Sequence, residues 1–172
     1  MQISKTTNTL VLDYKPMKIL VLIAMLVLPV AAAAQPKALT FEDAAAQGLT
    51  VARLDEQYAS ALHTDTTKAI FNGNRQQDFF KAYVAMLTEL AAYLKDNGFA
   101  WGQPTRLVHR IYFEPDGKID YYLVNLKALD NDQPKKEKFV ALLNTFIQYH
   151  KINITADKKF AQCGPAIYQD KK

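Results

Sequence analysis

The chain has 172 residues and carries 21 basic against 17 acidic side chains, a net charge of +4 with a pI near 9.0. Removing Lys5, Lys15, Lys18 and Asp13 of the first 34 residues leaves 18 against 16, or +2. The basic pI is therefore no nucleic-acid footprint, which would require Lys and Arg clustered on one face. Cys163 is the single cysteine, which excludes an intramolecular disulfide framework, so the fold must be held by apolar packing.

The N-terminus reads as an export signal. Lys15 and Lys18 supply positive charge, Ile19 to Val30 is a twelve-residue apolar run, and Ala32-Ala33-Ala34 before Gln35 offers an A-x-A cleavage site. A membrane span needs about 20 apolar residues, so membrane contact is expected only in transit, through this segment. No cysteine follows the run, which leaves the lipoprotein route unsupported. Met17-Lys18 would be a more usual start than Met1. Residues 1–34 are thus expected to be a signal peptide and residues 35–172 a single α+β domain of a periplasmic or secreted protein. That length suffices for one core.

Thr40 and Asp43 predict a capped helix over Phe41 to Gln47, ended by Gly48. Thr50 caps a second helix in which Val51, Leu54, Tyr58, Ala61 and Leu62 share a face. KAIF within His63 to Arg75 reads as a short strand or packed loop. From Gln76 to Asp96 the apolar stripe Phe79, Phe80, Tyr83, Val84, Leu87, Leu90, Ala91, Leu94 predicts the longest helix, closed by Asn97-Gly98 with Phe99 packing back. Trp101, with Gly102 and Pro104 after it, is read mainly as a plug at the end of the core, and also as a candidate binding anchor.

RIYFEPDGKIDYYLVNL, Arg110 to Leu126, predicts a β-hairpin about Glu114-Pro115-Asp116-Gly117. Period-2 alternation assigns Ile111, Phe113, Ile119, Tyr121 and Leu123 to the core. Arg110, Tyr112 and Tyr122 then face outward, and with Trp101 they are the candidate partner-binding residues. Asp132 and Pro134 open a helix to His150 whose Phe139, Leu142, Leu143, Phe146 and Ile147 face inward, while Lys135, Lys136 and Lys138 form a solvated face. Extended segments over Ile152 to Ala156 and Phe160 to Tyr168, the latter broken at Gly164-Pro165, close the chain. The expected architecture is α+β: N-terminal helices, then helix, β-hairpin, helix and strand, with helices packed on a small antiparallel sheet.

No catalytic constellation emerges. AQCGP around Cys163 has no nucleophile signature, so the cysteine reads as a small buried hydrophobe and a structural residue. His63, His109 and His150 lack metal-ligand spacing, the acidic residues near Asp116 and Asp130 lack the calcium-loop pattern, and no Gly-rich phosphate loop occurs. No cofactor or metal is expected.

The hairpin RIYFEPDGKIDYYLVNL followed by the helix KFVALLNTFIQYH resembles the C-terminal domain of TonB-type periplasmic proteins, over at most residues 76–168. The Trp and Pro motif that follows the helix in that family is absent, and so is an upstream Pro-rich spacer. The resemblance implies an exposed sheet edge that accepts a partner strand. The chain also looks like small secreted proteins of Gram-negative bacteria. Two functions are therefore expected: a non-enzymatic binding or scaffold protein engaging a cell-envelope protein through a sheet edge, or a small-ligand pocket in a cystatin-like α+β cone with possible hydrolytic activity.

Overall fold

The computed structural model describes residues 35–170, which belong to one unit beginning at Gln35. The signal-peptide expectation lies outside the described residues. Five strands form one mixed sheet in the order β1-β4-β3-β5-β2: Lys37–Thr40 (β1), Ala59–Ser60 (β2), Thr105–Phe113 (β3), Ile119–Asn125 (β4) and Phe160–Tyr168 (β5). The central β3 runs antiparallel to β4 and β5, and the short β1 and β2 add in parallel at the two margins. Among the described residues four α-helices complete the α+β fold: Phe41–Ala46 (α1), Val51–Asp55 (α2), Asn74–Asp96 (α3) and Gln133–Tyr149 (α4).

The helix ends follow local chemistry. Thr40 Oγ1 accepts from Asp43 N at 3.0 Å, Thr50 Oγ1 from Arg53 N at 3.3 Å and Asp132 Oδ1 from Lys135 N at 3.1 Å. At the end of α3, Gly98 takes φ +69° and donates to Lys95 O, while Phe99 donates to Leu94 O, satisfying two orphan carbonyls.

α3 and α4 cover one face of the sheet. α3 contributes Phe79, Tyr83, Met86, Leu90 and Leu94, and α4 contributes Phe139, Leu143, Phe146 and Ile147. These meet Leu107, Ile111, Phe113, Ile119, Tyr122 and Val124 in the main core. The stripe read from the sequence is too broad: Phe80 and Val84 are 61% and 44% exposed. They sit about 100° around the helix from Phe79 and Tyr83, beyond the arc that one flat sheet can cover. The opposite face carries a smaller cluster in which Ala44, Leu54 and Tyr58 cover Tyr112, Leu123 and Ala161.

The hairpin register differs from simple alternation. Phe113 pairs with Ile119 but Tyr112 pairs with Tyr121, so Asp120 is an extra residue on β4, a β-bulge. Side-chain parity reverses beyond it. Ile111, Phe113 and Ile119 stay in the main core, whereas Tyr121 and Leu123 turn to the opposite face and Tyr122 and Val124 take their places. Asp120 is held by the Tyr58 hydroxyl and by Lys159 Nζ at 3.3 Å.

Two further expectations are corrected. The second helix stops at Asp55 rather than continuing to Leu62, because Ala59 N and Ala61 N bond to Lys159 O and Ala161 O at 3.1 and 2.8 Å. Strand pairing outweighs the helical pattern there. Ile152 to Ala156 is no strand. It crosses beneath the turn, with Ile152 N donating to Gly117 O and Ala156 N to Pro115 O, at 3.0 and 2.9 Å.

Candidate partner-binding edge

Lys159 O and Ala161 O accept from β2, which fixes the direction of the backbone along β5. N–H and C=O alternate sides residue by residue. Gln162, Gly164, Ala166 and Tyr168 therefore bond inward to β3, and Cys163, Pro165 and Ile167 point outward. β2 ends at Ser60, so beyond Ala161 the outer side of β5 pairs with no strand among the described residues. Gln162 Nε2 donates to Cys163 O at 2.7 Å and caps the near end of this stretch.

The other margins are closed. Asn144 on α4 accepts from Ala38 N at 2.9 Å and donates to Ala38 O at 3.0 Å, its amide standing in for a neighbouring strand on the free side of β1. Ile70 N and Phe71 N bond to Ser60 O and Ala61 O at 2.9 and 3.0 Å, covering the free side of β2.

The open stretch runs between two apolar margins. On the outer face Ile167 is 70% exposed, with Val108 beside Pro165. On the helical side α3 passes over β5: Phe79 lies 6.2 Å ring to ring from Phe160, and Tyr83 Oη lies 3.9 Å from where a Cβ on Gly164 would stand. Phe80 and Leu62, two residues beyond β2, line one shallow groove, which places Phe80 on the edge side of the helix. Pro165 fits the strand because its missing N–H would have pointed outward, so no bond to β3 is lost. The sequence reading took Gly164-Pro165 as a break. A proline inside a strand signals an edge, and that signal could have located this one.

The four residues selected from the sequence lie elsewhere. Trp101 is buried, stacked on Tyr168 at 4.9 Å and packed against Phe99 and Phe139, and its backbone N–H donates to Asp170 Oδ1 at 3.0 Å. It plugs the core. Tyr122 and Tyr112 have no exposed surface, the first reversed by the bulge and the second roofed by Tyr58 at 5.0 Å. Arg110 retains exposure but is tied to Asp55 at 2.5 Å and to Tyr112 Oη at 2.9 Å, fastening α2 to the sheet. Cys163, expected to be buried, is exposed on the outer face. The His109 side chain points to the opposite face, so thiol and imidazole do not meet. Lys135 Nζ and Lys138 Nζ bond to Trp101 O and Gly98 O at 3.3 and 2.7 Å. They bind the start of α4 to the end of α3 rather than forming a merely solvated face.

Beneath the edge lies a buried polar cluster. His109 Nδ1 is 2.9 Å from Tyr122 Oη, while His109 Nε2, Tyr83 Oη and Tyr168 Oη have no protein partner. Gly164 pairs directly with His109. Burial depresses the His109 pKa to about 4 and raises those of Tyr83 and Tyr168, so all three are neutral at pH 7. Among the described residues no group of three His, Cys, Asp or Glu side chains is arranged to hold a metal ion. No protein-family model matches this chain, and neither a curated protein nor a solved structure matches it significantly.

Proposed function

We propose that the chain is an exported, non-catalytic binding protein that takes an extended segment of a protein partner onto the open edge of β5. The observation that carries this reading is the run Cys163 to Ile167, whose outward backbone groups lie between exposed Ile167 on one side and Phe80 on the other. Edge strands are usually blunted, because unpaired donors and acceptors beside apolar side chains invite pairing with another chain. Added strands gain main-chain hydrogen bonds for affinity and side-chain pockets for specificity. The alternative, a small-ligand pocket, requires a deep cavity between helices and sheet, and that layer is filled by Phe71, Phe79, Phe113, Phe139, Phe146 and Phe160.

Ile167→Pro tests the edge. It deletes an outward donor and leaves the bonds to β3 intact, so the unfolding free energy should change by no more than about 0.5 kcal/mol. Capture of envelope proteins from host extract should be lost. A variant that captures the same proteins as the wild type would refute the reading. Export has its own measurement: N-terminal sequencing of protein recovered from the host should begin near Gln35, and an intact Met1 or Met17 would contradict it.

A further inference from the structure

We infer that the segment occupying the β5 edge is β5 of a second copy of this chain, paired antiparallel about a two-fold axis at Ala166. The inference rests on the edge reading above and names its occupant. Three features select this partner.

First, one register gives the open stretch its longest self-complementary overlap. Outward residues are odd-numbered, so an antiparallel self-pair must match odd with odd. An axis at Pro165 would set two prolines face to face with no donor between them. An axis at Gly164 would drive the other copy's Ile167 against Ala161, where β2 already pairs. An axis at Ala166 sets Ile167 of each copy opposite Pro165 of the other. The proline carbonyl, which has no N–H beside it, then receives the Ile167 N–H twice over. Cys163 falls opposite Gln169. An axis one residue further along, at Ile167, shortens the overlap.

Second, a single symmetric contact covers both apolar margins in both molecules. The strands join the two sheets edge to edge, Ile167 of each copy lies against Pro165 of the other on the outer face, and Phe80 and Val84 on the two α3 helices close from the other side. A two-fold contact uses the same patch twice, so each exposed group meets a partner already present. Third, the remaining margins of the sheet are closed by Asn144 and by Ile70 and Phe71. Pairing of this kind therefore stops at two copies and does not propagate into a filament.

The test uses the protein as recovered from its host. Sedimentation velocity from the nanomolar to the high micromolar range should show a concentration-dependent doubling of mass, and Ile167→Pro should weaken dimerisation at least tenfold. Register is read by Gln169→Cys under mild oxidation. Directly opposed residues at a hydrogen-bonded site have Cα atoms about 5.5 Å apart, within disulfide range, whereas positions 163 and 169 of one chain are about 20 Å apart. Peptide mapping should find Cys163 joined to the introduced thiol in a covalent dimer. A monomer at every concentration, or no such cross-link, overturns the second copy. If that monomer still loses captured envelope proteins on Ile167→Pro, only the occupant is wrong and the edge reading stands. If Ile167→Pro changes neither self-association nor capture, both fall.

Discussion

Gly117→Val is expected to destabilise the protein by about 3–5 kcal/mol, combining a β-branched residue in a left-handed conformation with overpacking. Gly117 has φ +87°, and a Cβ there would stand 2.9 Å from Ile154 O and closer still to Ile152 O. Both obstacles are backbone, so no side-chain rotation relieves them. The same strap holds the turn through Ile152 N and Ala156 N, and its displacement would release those bonds as well. Lys118→Gln, one residue on, removes only an exposed ion pair to Asp116 at 2.9 Å and should cost no more than about 0.5 kcal/mol. Thermal unfolding of both variants checks this. Equal midpoints would mean that the turn is not clamped.

The second large effect is acid destabilisation through His109. Its pKa is near 6.5 in the unfolded chain and about 4 in the folded protein, lowered by burial. The unfolded chain therefore takes up the proton first as pH falls. Stability is complete above about pH 6.5 and declines until about pH 4, by a total on the order of 3 kcal/mol. Asp116, held low by Lys118, and Asp170, held low by the N–H groups of Trp101 and Gly102, contribute only at more acidic pH. Denaturant unfolding at pH 7 and pH 4.5 should show the loss, and His109→Gln should abolish most of the difference between the two. An unchanged difference in the variant would show that His109 does not carry the effect.

Local rules made much of the fold legible. The caps at Thr40, Thr50 and Asp132, the Gly98 helix end and the Asp116-Gly117 turn each depend on residues a few positions apart. After residue 75 the long helix, the hairpin, the second helix and the closing strand followed from periodicity, whereas the extended segment expected over Ile152 to Ala156 did not form a strand. What escaped was set by tertiary pairing. Asp120 carries no sequence mark of a bulge, yet its insertion exchanged Tyr121 and Leu123 for Tyr122 and Val124 in the core. Ala59–Ser60 became a strand because β5 lay beside it, and Phe80 was left exposed because the sheet ends beneath α3. The candidate site suffered most. Residues were chosen there for aromatic character, and Trp101, Tyr112 and Tyr122 are aromatic because they fill the core. The edge itself consists of backbone, which composition does not reveal, with Pro165 as its one sequence marker.

Amide hydrogen exchange along β5 tests the open edge most directly. In dilute protein the Gln162, Gly164, Ala166 and Tyr168 amides, bonded to β3, should exchange slowly, and those of Cys163 and Ile167 should exchange quickly. Raising the protein concentration should protect Cys163 and Ile167 selectively while leaving the inward four unchanged. Uniform protection of all six amides in dilute monomer, or fast exchange at Cys163 and Ile167 at every concentration and with host extract added, would contradict an edge built to receive a strand.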